Sequence, residues 1–216
     1  KDAGTDSLTE LFIRVGRLQY LIIALVISGF TVFGQSFIYL WAGADYADSY
    51  WIAILTMFPL CIPLIQNTGV SIVTAQNKHK FRSIVYLIVA VLNAISTYLI
   101  VPVMGAIGAA LCSCGSYLLG QGLIMNLYYY KVTRINIPLF WKNIGKMTVI
   151  PGGMMIIGLV LNHYYSITDV SVFLISVIVF AVVYAVLMYI FCLNDYEKSI
   201  IRGPIQKVEK LLRKGR

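Results

Sequence analysis

The chain is poor in the side chains that perform catalysis or bind metal ions. Its 216 residues include nine Asp and Glu together, two His and four Cys. His79 lies in a basic segment and His163 stands beside two tyrosines, and neither has an acid or a cysteine at ligand spacing. Paired acids, a glycine-rich phosphate loop and a nucleophile motif are also lacking. We therefore predict no catalytic residue, no metal site and no cofactor, and we do not expect an enzyme.

Charge is scarce throughout the chain. Charged residues make up 12% of the sequence and hydrophobic residues 59%, whereas an ordinary soluble domain has roughly 25% charged residues. A water-soluble fold of this length could not cover so much apolar surface, so lipid must solvate part of it. The composition therefore predicts an all-α, polytopic membrane helix bundle.

Six segments lack Asp, Glu, Lys and Arg and are long enough to cross a bilayer, which takes about 20 apolar residues. A single charge near the centre of such a helix costs about 2.5–3.5 kcal/mol, so the absence of charge supports each assignment. We predict about six transmembrane helices in one bundle over residues 18–193, at 18–40, 51–74, 84–103, 106–130, 147–163 and 170–193.

Positive charge alternates with these predicted spans. All 17 Lys and Arg lie before the first span, after the second, after the fourth or after the sixth. The loops between carry only acids or no charge, the acids being Asp45, Asp48 and Asp169. The positive-inside rule therefore predicts that both ends of this chain are cytoplasmic. The net charge of +8 serves this orientation and contacts with anionic membrane lipids, and we expect no nucleic-acid partner.

Three amphipathic segments flank or interrupt the predicted spans. Residues 1–17 repeat apolar side chains at helical spacing and predict a cytoplasmic helix leading into the first span. Residues 135–146, with Trp141 at headgroup level, predict a helix lying in the cytoplasmic interface. Residues 194–216 predict a basic amphipathic tail on the inner leaflet. The chain begins with Lys1 instead of Met, and we expect further helices upstream.

Prolines and small residues mark two of the spans. Pro59 and Pro63 are four residues apart on one helical face, and they favour either a static bend or a hinge. Residues 101–105 form the tightest predicted turn, which Gly105 permits. We predict helix packing through a stripe of small residues that comprises Gly105, Gly108, Ser116 and Gly120.

Uncharged polar residues are the main polar feature of the spans. An intramembrane amide should face protein or water, because its donors find no partner in lipid. Such groups either bond neighbouring helices together or line a hydrophilic passage suited to sugar hydroxyls. The candidates for a transport pathway are Gln35, Gln66, Asn67, Asn93, Thr97 and Gln121.

Several motifs occur in a recognisable order between residues 8 and 146. They are LFIRVGRLQ at 11–19, FIYLWAG at 37–43 followed by Asp45 and Tyr46, IPLIQN at 62–67, AQNKHKFRS at 75–83, Asn93, and GAIGAA at 105–110. Together they resemble polysaccharide repeat-unit flippases of the multidrug/oligosaccharidyl-lipid/polysaccharide exporter superfamily.

The resemblance implies a fold of two lobes, each of about six helices, around a central cavity. This chain then holds the last four helices of the second lobe and two further spans, and its first partner is the N-terminal lobe of the same protein. The implied substrate is an undecaprenyl-diphosphate-linked oligosaccharide, moved across the bacterial cytoplasmic (inner) membrane for O-antigen, lipopolysaccharide or capsule synthesis. The polysaccharide assembly machinery is a further implied partner.

Two other functions remain open. A cation-coupled multidrug exporter of the same superfamily usually needs an intramembrane carboxylate, and the predicted spans have none. A membrane polysaccharide polymerase or glycosyltransferase would want basic residues on the outer face to hold a phosphorylated donor, and the predicted outer loops have none.

Overall fold

The structure is a computed structural model that describes residues 2–164, 167 and 169–200. These residues form helices joined by short turns and no strand, which confirms the all-α prediction. Residues 201–216, most of the predicted basic tail, lie outside the described part. The helices are α1 (Asp2–Ala42), α2 (Ser49–Ile65), α3 (Asn67–Ala75), α4 (His79–Tyr117), a π-helical stretch (Leu118–Met125), α5 (Asn126–Lys131), α6 (Ile137–Tyr164) and α7 (Val170–Phe191).

Five helical segments of the described chain are long and apolar enough to cross a membrane. They carry rows of exposed apolar side chains such as Ile178 and Val182 on α7, which are 61% and 57% exposed. Surfaces of this kind are stable against lipid tails and not against water, so the structure fits a membrane helix bundle. The segments are Asp6–Ala42, Ala44–Ile65, His79–Lys131, Ile137–Tyr164 and Val170–Phe191.

The longest segment, residues 79–131, folds back on itself at Gly105. This glycine has φ 60° and ψ −146°, a conformation that side chains with a Cβ rarely adopt. The Phe81 ring stacks on the Tyr128 ring at 4.4 Å, and Val89 packs on Gly120. Residues at equal sequence distances before and after Gly105 therefore contact each other. The segment is an antiparallel helical hairpin, and its two arms are residues 79–104 and 106–131.

α1 packs against α2, α6 and α7 and lies at the centre of the bundle. A tyrosine hydroxyl joins α1 to each of these neighbours. Tyr20 is hydrogen-bonded to Thr148 of α6 at 2.7 Å. From α2, Tyr50 donates to the carbonyl of Thr31 at 2.8 Å, and from α7, Tyr184 donates to the carbonyl of Leu21 at 2.7 Å. Buried tyrosines of this kind combine apolar packing with a satisfied hydroxyl.

Two predicted amphipathic segments belong to longer helices. The segment 1–17 leads directly into the first span, because α1 runs unbroken from Asp2 to Ala42. The segment predicted to lie in the interface, 135–146, is instead the first part of α6. Its apolar face does not meet headgroups: Phe140 is fully buried and packs on the ring of Phe12 at 4.7 Å. The apolar face of this segment, which the pattern predicted to contact lipid, therefore packs against α1.

Within the described residues, the segments that carry Lys and Arg meet at one end of the bundle, the basic end. Thr9 of α1 accepts a hydrogen bond from the backbone of Asn136 at 3.2 Å. Lys78 donates to the carbonyl of Val132 at 3.2 Å. The turn at Gly105 and the loop at residues 43–48 lie at the opposite end, where the acids Asp45 and Asp48 are found.

A buried ion pair joins the start and the end of the described chain at the basic end. Arg17 Nε and Nη2 donate to the two Glu197 carboxylate oxygens at 2.6 and 2.9 Å, and Nη2 also donates to the carbonyl of Cys192 at 2.7 Å. The two residues are only 6% and 3% exposed. Such a two-pronged pair, with a further bond from Arg17 to a backbone carbonyl, holds its geometry well.

The environment of Glu197 sets its protonation. Burial acts to raise the pKa of this carboxyl, but the Arg17 hydrogen bonds, the backbone N–H of Asn194 and the Arg17 charge outweigh it. The pKa of Glu197 therefore lies below its ordinary value, and the carboxylate is ionised at neutral pH.

Replacing Glu197 by Gln should destabilise the bundle strongly, because it leaves the Arg17 charge buried without a counter-ion. We expect a loss of about 3–5 kcal/mol, measured as the thermal unfolding midpoint of the purified protein in detergent. Glu10→Gln is the matched control, since Glu10 pairs with Arg14 on an exposed surface and such pairs contribute about 0–1 kcal/mol. Equal effects of the two substitutions would contradict this assignment.

The same pair predicts the pH dependence of stability. A carboxyl whose pKa is lowered on folding stabilises the native state above its ordinary pKa of 4.5, and this stability is lost as the pH falls through the lowered value. The thermal unfolding midpoint of the wild type should therefore decrease as the pH is lowered below 4.5. The thermal unfolding midpoint of Glu197→Gln should decrease less over the same pH range.

Candidate functional site: a polar furrow along the helical hairpin

Two adjoining cavities follow the helical hairpin. The cavity nearer the basic end holds about 250 Å³, and the second, between the arms of the hairpin, about 340 Å³. Tyr86 and Gln121 line both cavities, so the two adjoin, and together they are here named the polar furrow. Arg82 lines its basic end and Asn93 its far part. Eleven residues separate these two along the helix, which corresponds to roughly 16 Å.

The furrow collects most of the predicted pathway residues. Gln66 and Asn67 lie beside Arg82, Gln121 lies at the junction of the two cavities, and Asn93 lies in the second cavity. Three residues predicted as a hinge or as packing residues also line it, namely Pro63, Ser116 and Gly120.

Other predicted residues lie elsewhere. Gln35 lines a separate cavity of about 530 Å³ between α1 and the end of α6, with Asn162 and His163. Thr97 is half-buried on α4 outside the furrow, and Pro59 is buried within α2. Gly108 packs on Ile100 and Met104, whereas Gly105 is exposed at the turn with no atom within 4 Å of a Cβ position. Gly105 therefore makes the turn and no packing contact.

The predicted span 51–74 is broken at Gln66. This residue has φ −104° and ψ 13°, and it separates α2 from α3. Pro63 lies three residues earlier and lacks the N–H that would continue the helical ladder. α3 begins again with the N–H of Gly69 donating to the carbonyl of Gln66 at 2.8 Å. The break places the Gln66 side chain inside the bundle, where the residue is only 2% exposed.

Asn126 pairs the broken helix with the hairpin. Its amide nitrogen donates to the carbonyls of Gln121 and Gly122, at 2.8 and 2.9 Å, where the π-helical stretch widens the backbone. Its amide oxygen accepts from Gln66 Nε2 at 2.8 Å and from Trp141 Nε1 at 3.1 Å. Asn126 is 8% exposed, and all of its hydrogen-bonding groups are used.

These bonds fix the orientation of the Gln66 amide. The carbonyls of Gln121 and Gly122 only accept, so the Asn126 side chain must turn its NH₂ group towards them. Its oxygen then faces Gln66, which must present its own NH₂ group. The remaining atom, Gln66 Oε1, is buried and has no partner within the described chain.

Two more furrow residues have a buried polar atom without a partner among the described residues. One is Arg82 Nε and the other is Asn93 Oδ1. The Arg82 guanidinium lies over the Tyr86 ring, with Cζ 4.7 Å from the ring centroid. A buried polar atom without a partner costs about 1–3 kcal/mol. Three such atoms along one furrow therefore indicate a place where water or a polar ligand binds.

Arg82, Tyr86 and Asn126 were not predicted as site residues. Arg82 precedes the predicted span 84–103 by two residues, and its charge was assigned to membrane orientation. A signal was present for Asn126, which is one of two amides in the predicted span 106–130, the other being Gln121. Trp141 was predicted to lie at headgroup level, but its indole N–H is used inside the bundle.

The furrow offers binding groups and no reactive ones. The residues that line its two cavities include one guanidinium, several amides and hydroxyls, and aromatic faces, but no Asp, Glu, His or Cys. Such a surface suits hydroxyl-rich or anionic ligands. Comparisons with protein-family models, curated proteins and solved structures find no match for this chain. The interpretation therefore depends on the geometry of the furrow itself.

Replacing Asn126 by Ala should destabilise the protein, because Gln66, Trp141 and two carbonyls lose their partner inside the bundle. We expect a loss of about 1–3 kcal/mol, measured by thermal unfolding in detergent. Asn143→Ala is the matched control, since that side chain also donates to the carbonyl four residues earlier, Leu139 at 2.8 Å, but at an exposed position. If both variants unfold at the same temperature, Asn126 does not stabilise the break.

Proposed function

We propose that the chain is the C-terminal part of a membrane flippase that moves undecaprenyl-diphosphate-linked oligosaccharide repeat units across the bacterial cytoplasmic membrane. The polar furrow is the observation that carries the proposal. It combines Gln66, Asn93 and Gln121, which suit sugar hydroxyls, with one cation at its basic end. The lipid tail of such a substrate would stay in the bilayer while its head group followed the furrow.

In this proposal the chain crosses the membrane six times. The two arms of the hairpin at Gly105 are separate crossings, since 79–104 and 106–131 run antiparallel. The basic end then faces the cytoplasm, in accordance with the positive-inside rule, and both ends of the described chain lie on that side. The hairpin and the meeting of the basic segments at one end support this arrangement.

The proposal also gives the helix break a role. Alternating access in transporters often uses discontinuous helices near the substrate path. The break at Gln66, between Pro63 and Gly69, lies on the furrow wall and is such an element. The opposing wall would come from the N-terminal lobe of the same protein, and the polysaccharide assembly machinery would receive the product.

Cysteine accessibility tests the six crossings. In a cysteine-free full-length protein, Met104→Cys should react with a membrane-impermeant maleimide in intact spheroplasts. Asn77→Cys and Lys131→Cys should react only after permeabilisation. All three native residues are exposed, so a missing reaction reports sidedness and not burial. Reaction of Asn77→Cys and Lys131→Cys from opposite sides would mean that residues 79–131 cross once.

Depletion in the native host tests translocation. Radiolabelled lipid-linked oligosaccharide should accumulate on the cytoplasmic side, shielded from a membrane-impermeant sugar oxidant. A full-length Asn93→Leu variant should restore translocation at least tenfold less well than the wild type, because it removes a furrow acceptor. Thr97→Val, one helical turn away and outside the furrow, is the control and should restore it fully.

Normal oxidation of the oligosaccharide after depletion would overturn the flippase proposal. A cation-coupled drug exporter would then be tested by drug efflux, although the furrow contains no carboxylate to bind a cationic drug.

A further inference from the structure

We propose that the polar furrow binds a glycosyl phosphate lipid in one fixed orientation, with a phosphate oxygen at Arg82 and sugar hydroxyls at Gln66 and Asn93. The inference rests on the proposed function and adds the direction in which the substrate lies. It follows from the donor or acceptor character of the three buried atoms that have no partner within the described chain.

Arg82 is the donor of the three. Its Nε carries a hydrogen that no described atom accepts, and no carboxylate lines either cavity of the furrow. The Tyr86 ring covers the guanidinium face, which leaves the edge with its N–H groups for a ligand. A planar guanidinium edge in a partly dry cavity is suited to phosphate oxygens.

Gln66 and Asn93 are the acceptors. The network around Asn126 leaves Gln66 with only its oxygen unpaired. The Asn93 amide has a buried oxygen without a partner among the described residues, and an amide can both accept from and donate to a hydroxyl group. Neither oxygen can bind a phosphate, which at neutral pH is chiefly an acceptor. Both can accept from a hydroxyl group, and a sugar is rich in hydroxyl donors.

The positions of these atoms give the ligand its direction. Gln66 shares the cavity of about 250 Å³ with Arg82, so a phosphate and the first sugar would meet there. Asn93 lies in the cavity of about 340 Å³ further from the basic end. The phosphate therefore lies at the basic end and the sugar chain extends towards Gly105, over roughly 16 Å of helix.

The local charge agrees with this direction. Lys78 and Lys80 precede Arg82 at the basic end, whereas no ionised side chain of the described residues lines the second cavity. Positive potential thus falls along the furrow, which favours an anionic group at one end and neutral hydroxyls at the other.

Binding measurements on the full-length protein in nanodiscs test the proposal. The probes are a polyprenyl-diphosphate-linked disaccharide, the same polyprenyl diphosphate without sugar, and phosphatidylglycerol. Arg82→Gln and Arg82→Lys should weaken binding of both polyprenyl probes at least tenfold, because neither variant has a guanidinium with its Nε–H donor. Asn93→Leu should weaken binding only of the probe with sugar. Lys80→Gln, an exposed cation two residues away, should change each affinity less than threefold.

The outcomes separate the sources of the phosphate. An equal loss of affinity for phosphatidylglycerol in Arg82→Gln would overturn the proposal in favour of a bulk-lipid headgroup site. Unchanged affinities in Arg82→Lys, with an unfolding midpoint like that of the wild type, would overturn it outright. Binding that follows the proposal while depletion leaves translocation normal would overturn the proposed function and leave the site standing.

Discussion

Hydrogen bonds lost where two helices are interrupted must be replaced inside this bundle, because lipid tails offer no partner to a free N–H or C=O group. Asn126 supplies that replacement at the π-helical stretch, where its amide nitrogen binds two carbonyls. Its amide oxygen also accepts from the side chain of Gln66 at the break between α2 and α3. The furrow depends on this pairing, since both interruptions form part of its wall. An apolar side chain at residue 126 would leave the two carbonyls and the Gln66 amide without these bonds.

The two ends of the bundle are held together in different ways. At the basic end, Phe12, Phe140 and Tyr129 form a closely packed aromatic cluster, and Arg17 and Glu197 form a buried pair beside it. The hairpin of 79–131 contacts the remainder mainly through α2 and carries long exposed apolar rows on its first arm. The furrow begins between α2 and this hairpin and continues between the two arms of the hairpin. Tyr129 belongs to the hairpin and lines the furrow, so movement of the hairpin against α2 would change both the furrow and the aromatic cluster.

Much of the fold follows from the sequence, because lipid imposes simple rules on length and charge. The uncharged segments coincide with helices, and Gly105 marks the reversal that its freedom from a Cβ permits. The break at Gln66 could not be located in this way. Proline weakens several helical bonds, and the partner of the Gln66 side chain is Asn126, 60 residues away, which no local pattern reveals. Residues 135–146 were misplaced for a similar reason. An amphipathic pattern shows that an apolar face will be covered, but not whether protein or lipid covers it.

The sequence predicts Gln66, Asn93 and Gln121 as residues of a transport pathway, and the structure places all three along the furrow. Two other predicted pathway residues, Gln35 and Thr97, lie outside the furrow. Arg82 was overlooked because a cation beside a span already has an explanation in membrane orientation. Lys80 fits that explanation, being exposed and free to reach water. Arg82 does not, since its Nε is buried and its guanidinium is held on Tyr86. Orienting a chain in the membrane requires positive charge near the membrane surface. It does not require a hydrogen-bond donor that is buried away from water. The buried Nε of one arginine in a row of basic residues thus distinguishes a binding group from a topological signal.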